Sequence, residues 1–255
     1  MLLIQLALFQ SANAQPLDES PAVDPVPLTA EQVVRNLTEM NLHRAQSLHG
    51  FQGTRVYRAV YRGFGGPRSA EMSVNVKYLS PGTKEFTILS ATGSKLIVDR
   101  VFKKLLEAEK EALAPRIQQR SALTEDNYRF TLIDCEIDGA GASYVFEVEP
   151  RSRDKFLYRG RIWVDAKDFA VIRLEGEPAR NPSFWTKKAE IVQAYMKVND
   201  FWLPAHNRSV TAIRLGGHAE LTIEYTDYQI TGAGMGSGLP VPETVPNVNT
   251  TRMRK

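Results

Sequence analysis

At 255 residues, with 43% hydrophobic and 24% charged content, the chain has the make-up of an ordinary globular protein, one large β-rich domain or two small ones. Its 32 basic residues are offset by 29 acidic ones, and no Lys/Arg stripe suited to tracking phosphates appears, so nucleic acid is set aside as a partner. The only cysteine, Cys135, excludes an intramolecular disulfide and a thiolate metal site.

Met1 to Gln10 is an apolar run, and Ala12 and Ala14 follow it in an A-x-A arrangement. Residues 1–14 therefore read as a secretory signal cleaved near Ala14, which places the mature protein in the periplasm or outside the cell. No Lys or Arg precedes the run, and it is too short to span a bilayer. Residues 15–28 carry four prolines and three acids and are expected as an extended linker. Thr29 then opens a helix, with Gln32 placed to complete a capping box. Val33, Leu37 and Met40 recur at helical spacing, flanked by Val34 and Asn41.

After Gly50 the period changes to two. Met72, Val74, Val76 and Tyr78 alternate with Ser73, Asn75 and Lys77, the mark of a half-buried strand, and Pro81-Gly82 makes a turn. Residues 98–113 return to the helical period, with Val98, Val101, Phe102, Leu105, Leu106 and Leu113 clustered around one face and Pro115 ending the pattern. Strands then resume to about residue 230, separated by Asp138-Gly139, Asp165 to Asp168, Asn199-Asp200 and Gly216-Gly217. Residues 232–255 are Gly/Pro-rich and aperiodic and are expected as a disordered tail. These elements predict an α+β, mainly β, domain over 29–231: a curved antiparallel sheet of about ten strands in meander order, with helices covering its concave face.

Residues suited to chemistry are few. His43, His49, His206 and His218 form no HExxH motif or Cys/His ligand set. Asp165 and Asp168 bracket a turn, which accounts for both acids. Cys135 sits in a strand-like run and is expected to be a small buried hydrophobe. The glycines of 63–66 and 232–238 precede no helix with a phosphate-binding lysine, and no G-x-S-x-G elbow occurs. The chain reads as a protein without catalysis, cofactor or metal.

What remains is apolar surface. Alternation places Met72, Val74, Val76, Tyr78, Tyr144, Phe146, Val148, Tyr158, Ile162, Val164, Ile172, Leu174, Leu221 and Ile223 on one face, together with Val192 and Met196. Lys77, Glu147, Arg159, Arg161, Arg173, Glu175, Glu190, Glu220 and Glu224 fall on the other. The first set is either plain core beneath two helices or, because short helices do not seal so broad a sheet, the wall of a hydrophobic cavity for an acyl chain.

Three stretches carry a family likeness: SKLIVDRVFKKLLEAEKEAL (94–113), GRIWVDAKDFAVIRLEGEP (160–178) and VNDFWLPAHNRSVTAIRLGGHAELTIEYTDYQI (198–230). Together they resemble the LolA/LolB/RseB superfamily, and within it the outer membrane lipoprotein-sorting protein group. The resemblance implies an incomplete β-barrel, lidded by helices, whose interior holds acyl chains. It implies a monomeric carrier or sensor of a lipid or acylated lipoprotein, the alternative being an RseB-like regulator that binds envelope proteins without transporting lipid. It also implies a polar anchor facing the lid, sought among Arg55, Arg58 and Arg62, whose spacing does not select one. The sequence has no lipobox cysteine near the cleavage point, so the likeness to LolB does not extend to an anchored lipoprotein.

Overall fold

Thr29 starts the first helix as the sequence predicts. Its Oγ1 accepts from the Gln32 amide at 3.3 Å, while its own amide donates to Gln32 Oε1 at 2.8 Å, closing the capping box of α1 (Ala30–Ser47). Val33, Val34, Leu37 and Met40 form its buried stripe, and Arg44 continues the same stripe one turn on. The computed structural model describes residues 28–138, 141–181, 186–214 and 216–231. The signal segment, nearly all of the linker and the tail expected at 232–255 lie outside the described residues.

Period-two patterning then yields β1 (Gly50–Arg62), β2 (Arg68–Leu79) and β3 (Thr83–Gly93). A helical connection follows: α2 (Lys95–Ile97), a π-helical turn (Val98–Phe102), α3 (Lys103–Ala112) and α4 (Pro115–Ser121). The remaining strands are β4 (Tyr128–Asp138), β5 (Gly141–Pro150), β6 (Tyr158–Asp165), β7 (Val171–Pro178), β8 (Thr186–Val198), β9 (Phe201–Ile213) and β10 (His218–Thr231). All pair antiparallel in one open sheet, ordered β3-β2-β1-β10-β9-β8-β7-β6-β5-β4, a curved half-barrel.

This order corrects the simple meander. Strands β1–β3 and β4–β10 are each meanders, but β3 does not pair with β4. The helical connection carries the chain from one edge of the sheet to the other, so β10 returns to lie against β1. The predicted helix over 98–113 is also modified. The π-helical turn holds an extra residue, which rotates the following face; Phe102 and Leu106 are buried, but Val101 is 39% exposed. Pro115 does not end helical structure. It occupies the first turn of α4, where its missing amide costs no bond, and α4 escapes detection because it buries no residue.

Two apolar clusters lie on the same face of the sheet. One joins the buried stripe of α1 to Phe146, Val148, Ile162, Val164 and Leu174. The other joins Ile97, Phe102 and Leu106 to Tyr57, Met72, Val74, Val76 and Ile223. Cross-strand partners show that one face serves both: Leu132, Phe146, Ile162, Leu174, Gln193, Asn207, Ile223, Tyr57, Met72 and Ala91 form a single row across all ten strands. The helices are therefore lids on the concave side, as expected.

Candidate ligand-binding site

The concave face has a dry region at each side and a wetter strip between them. Beneath α1 and beneath α2–α3 the inward residues are sealed: Met72, Val74, Val76, Phe146, Val148, Ile162 and Val164 are 0–1% exposed. Between the lids, β8 and β9 contribute Ile191, Gln193, Asn207 and Ser209, all half-buried. Asn207 donates to Gln193 Oε1 at 2.8 Å, and the Gln193 amide nitrogen donates to the backbone oxygens of Ala194 and His206.

Thirteen of the fourteen residues read as cavity wall fall in the two clusters. Met72, Val74, Val76, Tyr78, Leu221 and Ile223 pack on the α2–α3 side, and Tyr144, Phe146, Val148, Tyr158, Ile162, Val164 and Leu174 on the α1 side. Ile172 does not join them. A bulge between β6 and β7 pairs Trp163 with Arg173 but Val164 with Val171, so Val171 takes the inward place and Ile172 is the extra residue. Val192 and Met196 point outward, because β8 has the opposite parity: Val192 pairs with Glu175 and Arg208 on the convex side. The polar Gln193 in the inward series hid this register. Cys135 is exposed rather than buried, since β4 is a free edge beyond the cover of α1.

Of the three candidate arginines, the structure selects Arg55. Arg58 pairs with Glu71 in solvent and Arg62 is exposed. Arg55 lies on the inward face of β1, with its side chain 6% exposed, and its guanidinium meets Glu109 of α3 through bonds of 2.6 and 3.1 Å. Lys84 of β3 reaches the same carboxylate at 2.6 Å, and the Tyr225 ring lies 4.9 Å from the Arg55 guanidinium carbon. Burial disfavours both charges, but each outweighs that cost for the other: the Glu109 hydrogen bonds and charge hold Arg55 above its ordinary pKa, and Arg55 and Lys84 hold Glu109 below its own. Glu109 thus ties the second lid to the floor through two cations, while Lys155 pairs with Glu111 of the same helix nearer solvent, and no spacing in the sequence announces Glu109.

The first lid is attached differently. Arg44 of α1 donates to the backbone oxygens of Asp168 and Phe169, both at 2.8 Å, and to Asn41 Oδ1 at 2.9 Å. The β6–β7 turn is built to present those oxygens. Asp165 Oδ1 accepts from the amides of Lys167 and Asp168, and buried Phe169 is held in the left-handed region at φ 46°. The turn thus accounts for Asp165 as expected, but Asp168 does more: its Oδ2 accepts from Lys197 at 2.5 Å and from Trp202 Nε1 at 2.9 Å. Burial raises the Asp168 pKa, and those two donors outweigh it and lower the value overall. Arg44 was legible in principle as a charge in an apolar stripe, four residues after Met40.

Beside Arg44 a cleft of about 240 Å³ opens between α1 and the sheet, lined by Asn41, Arg44, Leu123, Tyr158, Ala170, Val171, Leu174, Tyr195 and Trp202. Near Tyr158 the floor is lowered by two facing glycines. A Cβ on Gly160 would stand 2.1 Å from the Glu175 oxygen, and one on Gly176 would stand 2.1 Å from the Arg159 oxygen, so the strands approach here only because neither residue has a side chain. Among the described residues no group of three or more His, Cys, Asp or Glu side chains is placed to hold a metal ion. No helix among them is long and apolar enough to cross a membrane.

No family profile matches the sequence, and neither does any curated protein. Solved structures similar in fold include a DUF1329 family protein from Desulfovibrio piger, with 12% identity over 84% of this chain and 96% of the other and a TM-score of 0.42. A putative outer membrane lipoprotein-sorting protein domain from Vibrio parahaemolyticus has 12% identity over 80% and 95% of the two chains, with a TM-score of 0.35. A LolA superfamily protein from Nitrosomonas europaea has 10% identity over 80% and 94%, with a TM-score of 0.35.

Proposed function

We propose that this chain is a binding protein of the bacterial envelope that takes an acyl chain of a lipid or lipoprotein between its concave sheet face and its helical lids. The observation that carries this reading is the double closure of one apolar face: two separate lids, each tied to the floor through buried polar contacts, Arg55 and Lys84 with Glu109 and Arg44 with the Asp168 and Phe169 oxygens. A floor needed only as core would be served by apolar packing alone, whereas polar attachments are directional and release as units.

Beneath the lids the inward residues are sealed and the cleft beside Arg44 is too small for a whole chain, so full binding displaces a lid. The energetics permit it. Each methylene moved from water to an apolar surround contributes about 0.8 kcal/mol, so some ten of them supply about 8 kcal/mol, enough to offset a broken ion pair and the separation of one helix face. The role is binding rather than catalysis: the groups lining the cleft are donors and apolar walls.

The test is direct. Protein purified without detergent is analysed by native mass spectrometry and organic extraction, then titrated with cis-parinaric acid, whose fluorescence reports an apolar surround. Saturable binding at about one equivalent supports the reading. Protein that emerges without lipid and binds no acyl probe refutes it, and retention of an envelope protein by such lipid-free protein would favour the RseB-like regulator instead.

A further inference from the structure

The cleft beside Arg44 is unequally supplied with donors and acceptors. Its acceptors are occupied: Asn41 Oδ1 takes a bond from Arg44, and Asp168 Oδ2 takes bonds from Lys197 and Trp202. Two donors are idle. The hydroxyls of Tyr158 and Tyr195, both lining the cleft, have no hydrogen-bond partner among the described residues, and they lie near enough to interact electrostatically. Both residues are half-buried, so their hydroxyls are reachable from the cleft and free to donate to a bound acceptor. Around them the wall is apolar, from Leu123, Val171 and Leu174.

We propose that Tyr158 and Tyr195 together seat the carboxylate of a long-chain fatty acid, with its first methylenes against Leu123, Val171 and Leu174. The proposal rests on the acyl-binding reading and names the head group that such a site takes. A carboxylate has two oxygens to accept from the two hydroxyl donors that line the cleft. The charge does not oppose it: Arg44 and Lys197 balance the carboxylates of Asp168 and Asp165, so the cleft presents no excess negative charge to an anionic head group. Burial raises both tyrosine pKa values, that of Tyr195 to about 12, so each hydroxyl keeps its proton throughout the physiological range. The volume bounds the claim. At about 30 Å³ per water-sized group, 240 Å³ holds roughly eight such groups, which is a head and the start of a chain. The rest of the chain follows once α1 lifts.

The test compares head groups on the wild-type protein and side chains on variants. Displacement of cis-parinaric acid is measured with oleate and with methyl oleate, and direct titrations are run on Tyr158→Phe, Tyr195→Phe and the double variant, whose folding is checked by circular dichroism and melting temperature. The expected result is oleate competing at least ten-fold better than methyl oleate, and at least ten-fold weaker probe binding by the double variant at an unchanged melting temperature. Equal competition by acid and ester, or unchanged binding by the double variant, overturns the carboxylate seat while leaving the acyl-binding reading intact. Should the double variant fail to fold, the acid-to-ester ratio on the wild-type protein decides alone. A wild-type protein that binds neither lipid overturns both.

Discussion

Replacing Glu109 with alanine removes the carboxylate that Arg55 and Lys84 share, and leaves the Arg55 guanidinium against the floor with its charge uncompensated. Breaking a fully buried pair in this way costs about 3–5 kcal/mol. Glu109 keeps 29% of its side chain exposed, so water reaches the vacated position and about 2–3 kcal/mol is the appropriate size. For a domain of this length that corresponds to a fall in melting temperature of about 4–12 °C. The loss is local in kind: α3 loses its buried ionic attachment to the floor and keeps only the exposed Lys155–Glu111 pair, whereas α1 keeps Arg44. Hydrogen exchange followed by mass spectrometry should therefore show faster exchange over 95–112 and little change over 30–47. The double variant Arg55→Met, Glu109→Ala should recover much of the stability, because the stranded charge goes as well. Uniform acceleration over both lids, or a double variant no more stable than Glu109→Ala, would refute the reasoning.

Acid should release the second lid. A carboxylate held below its ordinary value of 4.5, as Glu109 is, contributes stability that is complete above that pH and is lost as pH falls through the lowered folded value. Melting curves from pH 6 to pH 3 should decline mainly below about pH 4.5, and Glu109→Gln should flatten that decline. Thr29→Ala should cost about 1 kcal/mol by removing the cap of α1, measurable by urea denaturation at unchanged m-value. Phe102→Ala, at a fully buried position between the π-helical turn and Tyr57, should cost about 3–5 kcal/mol, and a loss under 1 kcal/mol would show that the lid is not packed on the floor. Gly176→Ala should destabilise strongly, since its Cβ meets backbone rather than a movable side chain, and a melting temperature equal to that of the parent would contradict the close approach of β6 and β7.

The strands and the two lids were legible because alternation and helical spacing are local signals: Met72, Val74 and Val76 report their face without reference to any distant residue. The seam of β1 with β10 was not, because local patterning says nothing of which strands meet. Ile172 was misplaced by a single bulge, and Val192 and Met196 by a strand whose inward series, Ile191, Gln193 and Tyr195, carries a polar member at its centre. Parity is the most fragile inference from alternation, since one residue of slip exchanges the faces. The polar attachments were hidden for a different reason. Arg55 meets Glu109, and Arg44 meets a turn far along the chain, through contacts set by the tertiary fold. Of the cleft tyrosines, alternation placed Tyr158 on the cavity wall but did not single out Tyr195, whose strand was assigned the opposite parity.

The pairing of β1 with β10 has a bearing on how the molecule comes into being. Strand β1 meets β2 early, but its other edge stays open until the last described strand is made, and the register runs from Gly50 with Thr231 to Arg62 with His218. Such distant pairing is slow to form, since the intervening chain must first be brought to order. A nascent or shortened chain lacking His218–Thr231 would present β1 as a long, unpaired edge rich in Val and Tyr, the kind that recruits other chains. The two meanders are therefore not independent units joined by a crossover. They are halves of one cooperative object, completed only when its two ends are zipped together.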